Sequence, residues 1–117
     1  MKLYCDSSLT EYCFWFEDAD RPFRALHIPQ PKTHNIGEYL AVQNALIMAI
    51  ASGLESLEVF TDSQLVVGQV AQGWKVKEKH FVIYINQIKE MLAQTKSTIA
   101  WISREENPAG KELEKKR

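Results

Sequence analysis

"EVFTDSQLVV" (58–67) changes its hydrophobic pattern at one acidic residue, Asp62. The apolar, β-branched and aromatic residues before it are typical of a strand, and Ser63 begins a segment with helical spacing. The stretch therefore predicts a strand over 56–62, followed by a short helix over 63–74 that ends near Gly73. Either Asp62 or Ser63 can cap that helix, so the open question is whether Asp62 has any role beyond capping.

The remaining segments place this strand-to-helix corner in an α/β domain. Strands are predicted over 2–6, 12–17 and 23–29, as a meander, and over 97–103. Apolar residues three and four apart predict helices over 34–53 and 80–95, and Asn107 followed by Pro108 predicts a helix over 107–117. The order βββ-α-β-α-α-β-α predicts a mixed five-stranded sheet with helices packed on it, in a single domain over residues 1–117.

Composition excludes several classes of protein. The apolar fraction is that of a soluble globular chain, and no stretch approaches the ~18 apolar residues of a membrane helix. The N-terminus lacks a signal peptide, so a cytoplasmic location is expected, with Cys5 and Cys13 as free thiols rather than a hairpin disulfide. A net charge of −1 argues against bulk electrostatic binding of nucleic acid, which leaves local basic patches at 74–80 and 110–117. The complete element order from Met1 favours a free-standing protein, and no obligatory protein partner is evident.

Three acids occupy special places in the predicted fold. Asp6 ends the first strand, Asp62 ends the fourth, and Glu38 lies in the first turn of the long helix on its apolar stripe. Each has a simpler explanation: Asp62 as a helix cap, Glu38 with Asn35 as a capping box, and Asp6 as the start of a turn. If the first and fourth strands are parallel neighbours, however, the three carboxylates converge.

Converging carboxylates point to a metal site. They repel one another and raise one another's pKa unless a cation lies among them. Oxygen ligands of this kind suit Mg²⁺ or Mn²⁺, which keep several waters and also bind phosphate. Two such ions ~4 Å apart can support phosphodiester hydrolysis, so the spacing is compatible with a nuclease.

Four segments together resemble type I ribonuclease H, and most closely its short members, which lack the basic handle between the second and third helices. They are "YCDSS", "HNIGEYLAVQNAL", "FTDSQLVVGQVAQGWKVK" and "WISREENPAGKELEK", in the family's order over nearly the whole chain. The resemblance implies endonucleolytic cleavage of the RNA strand of RNA–DNA hybrids by two Mg²⁺ or Mn²⁺ ions. It places the metal ligands at Asp6, Glu38 and Asp62.

The resemblance also implies where the substrate binds. The predicted substrate contacts are Ser7, Thr33, Asn35, Trp74, Lys75 and Lys77. Helix capping is an equal explanation for Thr33 and Asn35, and a core position at a helix end is one for Trp74. Binding through backbone shape predicts cleavage that is largely independent of sequence, and double-stranded RNA is kept as a second candidate substrate.

The chain departs from the family at its C-terminal end. The family pattern R-E-x-N-x-x-A-D-x-L carries a fourth acid, but "REENPAGKEL" has Lys111 at that place. Asn107 is a candidate replacement ligand through its amide oxygen, with an N-cap role as the alternative. Some members of the family carry a His-bearing loop before the last helix, but this chain has no His after residue 80. Arg104 is the nearby cation that could substitute for it, with an arginine in a surface turn as the alternative. A different function is therefore kept open: a hybrid- or duplex-binding module with weakened or lost catalysis, in which Lys111 neutralises the carboxylates.

Overall fold

A five-stranded mixed sheet forms the centre of the fold. The computed structural model describes residues 1–27 and 36–115. Its strands are β1 (Lys2–Ser7), β2 (Glu11–Phe16), β3 (Phe23–Leu26), β4 (Glu58–Thr61) and β5 (Thr98–Trp101). They lie in the order β3-β2-β1-β4-β5; β1 pairs with β2, and β2 with β3, in antiparallel fashion, whereas β4 is parallel to both β1 and β5. The predicted meander and mixed sheet are confirmed.

Four helices accompany the sheet in the described part of the chain. They are α1 (Ile36–Ala51), α2 (Gln64–Ala71), α3 (Val82–Gln94) and α4 (Pro108–Glu114), with single 3-10 turns at Lys79–Phe81 and Arg104–Glu106. The element order is as predicted; β1 and β3 begin at the predicted residues, and the other boundaries that fall on described residues shift by one or more residues. None of the described helices has the length and apolar character needed to cross a membrane.

The helices divide between the two faces of the sheet. α1 packs against β1 and β2 and contacts α3, which also contacts α2. Leu3 and Cys5 of β1 belong to this core, and side chains alternate along a strand, so Asp6 points to the other face. α4 covers that second face by packing on β1 and β2. The site therefore forms between a helix on each side of the sheet.

An ion-pair network holds the outer end of α4. The guanidinium of Arg24 in β3 donates two hydrogen bonds of 2.9 Å to the carboxylate of Glu11 in β2. It also donates to the backbone carbonyl of Glu112 in α4 at 3.0 Å. All three side chains are largely buried, so this bidentate pair is better shielded from solvent than an exposed salt bridge.

The two cysteines are free thiols. Cys5 and Cys13 are both buried, on adjacent strands. Burial raises the pKa of each thiol, and that of Cys13 reaches about 12. The sequence-based prediction of unpaired cysteines is confirmed.

The helix predicted over 63–74, ending near Gly73, is shorter in the structure, and Trp74 lies outside it. α2 ends at Ala71, and Gly73 adopts a positive φ of 71°, which reverses the chain. The backbone N–H of Trp74 then donates to the carbonyl of Gly68 at 3.0 Å, and its indole lies on the Gly68 backbone. A Cβ atom at Gly68 would be 2.1 Å from Cδ2 of Trp74, so only glycine permits this contact.

We expect Gly68→Ala to displace the Trp74 indole from α2. Alanine is the better helix former by about 1 kcal/mol, but the clash should outweigh this and lower the free energy of unfolding by about 1–3 kcal/mol. Urea denaturation and tryptophan fluorescence measure the two effects. In a Trp74→Ala background the same change should be neutral or stabilising, and equal destabilisation in both backgrounds would contradict the contact.

Candidate active site

Asp6 and Asp62 leave the sheet side by side. The parallel β1–β4 ladder pairs Cys5 with Thr61, and each aspartate is the next residue of its strand or just follows it. Ser63 caps α2 by accepting the backbone N–H of Val66 at 3.2 Å. The side chain of Asp62 is therefore not needed to cap α2 and can have another role.

Glu38 reaches the same place from α1. Its carboxylate accepts a hydrogen bond from the Ser7 hydroxyl at 2.7 Å and one from the Thr61 hydroxyl at 3.4 Å. Thr61 is fully buried, and its oxygen also accepts the backbone N–H of Ser63 at 3.2 Å. One hydroxyl from each of the two central strands thus orients the glutamate toward the sheet, as its place on the apolar stripe predicted.

Gly37 allows α1 to come this close to the sheet. A Cβ atom at this position would lie 2.6 Å from Nε2 of His27 and 2.8 Å from the Ser7 hydroxyl oxygen. Such distances are shorter than contacts between real side-chain atoms. A side chain at residue 37 would therefore push the first turn of α1, and Glu38 with it, away from β1.

The three carboxylates form a compact cluster. One oxygen from each of Asp6, Glu38 and Asp62 lies within 4.8 Å of the others. Burial, and then the charge of Asp62, raises the pKa of Asp6 from 3.8 to about 7. Burial, and then the charge of Asp6, raises the pKa of Glu38 from 4.5 to about 8, against the opposing effect of the hydrogen bonds from Ser7 and Thr61.

This donor set fits a divalent cation. Three carboxylates offer hard oxygen ligands, and Asp62 and Glu38 are only partly buried, which leaves room for coordinated waters. A cation among them would remove the repulsion that raises their pKa values. Among the described residues, no lysine or arginine makes an ion pair with any of the three.

The C-terminal candidates take different positions. Asn107 is fully buried and caps α4, with its side-chain oxygen accepting the N–H of Ala109 at 3.1 Å, so the cap role is confirmed. Lys111 is exposed. Arg104 is exposed and pairs with Glu114 at 3.8 Å, and its charge opposes the rise in the pKa of Asp6.

A cleft with aromatic walls lies next to Asp62. Trp74 and Trp101, each about half exposed at 46% and 48%, line a cleft of about 240 Å³. The indole N–H of Trp101 donates to the backbone carbonyl of Asp62 at 3.1 Å. Lys75 and Lys77 follow Trp74 in the chain and are exposed. The predicted substrate-contact residues Trp74, Lys75 and Lys77 thus lie in one accessible segment.

Two predicted substrate contacts, Thr33 and Asn35, lie outside the described residues, and so does the proposed capping box.

Two residues of the site were not predicted. Thr61 supports Glu38, and Trp101 holds the backbone of Asp62. Thr61 and Trp101 occupy ordinary positions in the alternating pattern of a strand. That pattern does not indicate that their polar atoms bond to a neighbouring carboxylate or carbonyl.

We expect the crowded carboxylates to destabilise the metal-free protein as the pH rises. The unfolded chain releases the Glu38 proton near pH 4.5 and the folded chain near pH 8, so the free energy of unfolding falls between these values. In EDTA, Glu38→Gln should therefore make stability less pH-dependent over this window. Urea denaturation at several pH values measures this.

The matched control is Glu90→Gln, the same chemical change at an exposed position of α3. It should leave the pH dependence of the wild type intact. Saturating Mg²⁺ or Mn²⁺ should make the pH dependence of wild-type stability more like that of Glu38→Gln. Identical pH slopes for the wild type and Glu38→Gln in EDTA would contradict the repulsion.

Comparisons with known proteins identify the family. A family model described as reverse transcriptase-like matches residues 23–116. Ribonuclease H1 from the halophilic archaeon Halobacterium salinarum NRC-1 has a similar structure, with a TM-score of 0.74 and 21% identity over 96% of this chain and 90% of that chain. The N-terminal RNase H domain of rv2228c from Mycobacterium tuberculosis, solved as a fusion with maltose-binding protein, gives 0.72 and 23% over 91% and 84%.

A third similar structure contains a nucleic acid. LC11-RNase H1, isolated from compost by a metagenomic approach, was solved in complex with an RNA/DNA hybrid. It has a TM-score of 0.72 and 21% identity over 96% of this chain and 90% of that chain. The chain therefore belongs to the reverse transcriptase-like family and has the fold of type I ribonuclease H, as the sequence resemblance predicted.

Proposed function

We propose that this protein is a metal-dependent endonuclease that cleaves the RNA strand of RNA–DNA hybrids. The observation that carries the proposal is the convergence of Asp6, Glu38 and Asp62, whose oxygens lie within 4.8 Å of one another near the C-terminal ends of β1 and β4. Three carboxylates at this spacing repel one another, which lowers stability if no cation binds. The same arrangement suits divalent cations, which can in turn bind phosphate. The hybrid bound to LC11-RNase H1, on a similar fold, supports the choice of substrate.

Two Mg²⁺ or Mn²⁺ ions would be held by the three carboxylates. When bound, such ions lower the pKa of water and neutralise charge on the scissile phosphate and the leaving oxygen. The chain's own contribution is orientation: Ser7 and Thr61 hold Glu38, which we propose also orders the ribose 2′-hydroxyl beside the cut. The ligand role of Asn107 stays a prediction.

Recognition of the hybrid would rest on the segment after α2. Trp74 is half exposed and fixed on Gly68, so it offers a rigid aromatic face. Lys75 and Lys77 add positive charge beside it, a combination that suits a nucleic-acid backbone.

Arg104 and Lys111 stay candidates for an auxiliary role at the site. Double-stranded RNA remains a second predicted substrate, and the cytoplasmic location and the lack of an obligatory protein partner stay predictions from the sequence.

The alternative is a binding module without catalysis. It is motivated by Lys111 at the place of the family's fourth acid. Lys111 is exposed and makes no ion pair with the described carboxylates, so nothing supports a neutralising role for its charge. The raised pKa values of Asp6 and Glu38 instead favour a site that takes its positive charge from solution.

Cleavage of a labelled RNA–DNA hybrid distinguishes the two functions. We expect endonucleolytic cutting of the RNA strand with Mg²⁺ or Mn²⁺ and none with EDTA. Asp62→Asn keeps the shape of the side chain and removes the charge of one metal ligand. It should lower kcat more than about 100-fold, because losing a residue that merely supports a ligand already costs about 10–100-fold. Asp20→Asn, the same change in an exposed turn, should cut like the wild type. Hybrid binding without metal-dependent cleavage would favour the module.

Salt dependence tests the proposed binding segment. Hybrid affinity should fall with rising salt, and Lys75→Ala and Lys77→Ala should each reduce the slope of log K against log salt by about 1 if the lysine contacts a phosphate. Binding is measured with the Asp62→Asn protein, which keeps the hybrid intact. Lys89→Ala, on an exposed position of α3, is the matched control. If the slope is unchanged in both the Lys75→Ala and Lys77→Ala variants, the hybrid phosphates contact a different surface.

A further inference from the structure

We propose that Asn107 is a positioning residue, whose side-chain amide ties the first turn of α4 to β1 and so fixes the carboxylate of Asp6 for metal binding. This inference rests on the metal-dependent function proposed above. It gives Asn107 a role other than the ligand role that the sequence suggested.

Both polar atoms of the Asn107 side chain are engaged. Its amide nitrogen Nδ2 donates to the backbone carbonyl of Cys5 at 2.9 Å, across 102 residues of sequence. Its oxygen Oδ1 accepts the backbone N–H of Ala109 at 3.1 Å. The residue has no exposed surface. A buried amide with donor and acceptor both satisfied acts as a rigid bridge, and losing either bond would leave a buried polar group without its partner.

The bridge attaches where the two catalytic strands separate. Cys5 and Thr61 are the last residues that the parallel β1–β4 ladder pairs. Asp6 and Asp62 follow them directly, beyond the last pair. The amide of Asn107 therefore binds β1 at Cys5, the last residue that β4 pairs with and the one before Asp6.

α4 also touches the carboxylate of Asp6. A Cβ atom at Gly110 would lie 2.8 Å from Oδ2 of Asp6, so the helix backbone forms one wall of the carboxylate's surroundings. The network of Arg24 with Glu112 holds the other end of the helix. Metal ligands must be placed within about 0.5 Å of their working geometry. Without the hydrogen bond from Asn107 to β1, α4 would no longer fix the position of the Asp6 carboxylate.

The engaged oxygen weighs against direct ligation. A ligand oxygen must face the cation, but Oδ1 of Asn107 faces the first amides of α4 and caps that helix. The nitrogen, which cannot bind a cation, faces β1. Turning the amide over to free the oxygen would place two carbonyl-type oxygens against each other at Cys5.

Two substitutions separate positioning from ligation. Asn107→Ser keeps a good N-cap for α4 but is too short to reach Cys5. Asn107→Asp keeps the cap oxygen, removes the donor to Cys5 and supplies a stronger metal ligand. The readouts are Mn²⁺ affinity of the protein without nucleic acid, followed by electron paramagnetic resonance, and kcat and KM for hybrid cleavage, all below the melting temperature of each variant.

Positioning predicts that Asn107→Ser binds Mn²⁺ about 10-fold or more weakly and loses 10–100-fold in kcat with KM for the hybrid retained, the usual effect of removing a ligand's supporting partner. It also predicts that Asn107→Asp binds Mn²⁺ no more tightly than the wild type. Wild-type Mn²⁺ affinity in Asn107→Ser, or tighter binding in Asn107→Asp, would overturn the proposal. If Asn107→Asp does not fold, the Asn107→Ser result decides alone.

A remote cap controls for general loss of stability. Thr95 is buried at the end of α3, and its hydroxyl donates to the Met91 carbonyl at 2.8 Å. Thr95→Val should lower the melting temperature while leaving Mn²⁺ affinity and kcat unchanged, and a loss matching that of Asn107→Ser would overturn the proposal. A wild type that binds Mn²⁺ without cutting the hybrid would contradict the nuclease function, yet the affinities would still test Asn107.

Discussion

Electrostatic repulsion among Asp6, Glu38 and Asp62 is the constraint on which the rest of the site depends. The fold brings their oxygens within 4.8 Å of one another, and burial and mutual charge raise the pKa values of Asp6 and Glu38 to about 7 and about 8. This arrangement costs stability at neutral pH unless a cation lies among the carboxylates. The supporting hydroxyls of Ser7 and Thr61 offset only part of that cost, so the site has the properties of a cation-binding centre.

The backbone reaches this arrangement through one parallel strand pair. β1 and β4 are neighbours because the chain leaves the meander through α1 and returns beside its first strand. The same crossover delivers Glu38 from the start of α1, so one connection positions all three acids. On the other face, α4 is held by Arg24 at one end and by Asn107 at the other, and it packs against Asp6. The site is thus formed between helices on the two faces of the sheet.

Much of this could be predicted from the sequence, because strand ends and helix periodicity are local signals. Asp6 and Asp62 follow apolar strand segments, and the apolar stripe of α1 contains Glu38, so their convergence required only the strand order. The contact between Asn107 and Cys5 could not be predicted, since it joins groups 102 residues apart and depends on the docking of a short helix. The helix predicted over 63–74, with its end near Gly73, was too long: it ends at Ala71, and the positive φ of Gly73 turns the chain before Trp74.

The central claim is that the three carboxylates bind divalent cations. Its most direct test is a crystal structure of the protein soaked in Mn²⁺, with the ions located by anomalous diffraction. The account predicts at least one Mn²⁺ peak coordinated by Asp6 and Asp62, with Glu38 as a ligand of the same centre. A structure at saturating Mn²⁺ with no ion between these residues, and with the carboxylates turned away from one another, would contradict it.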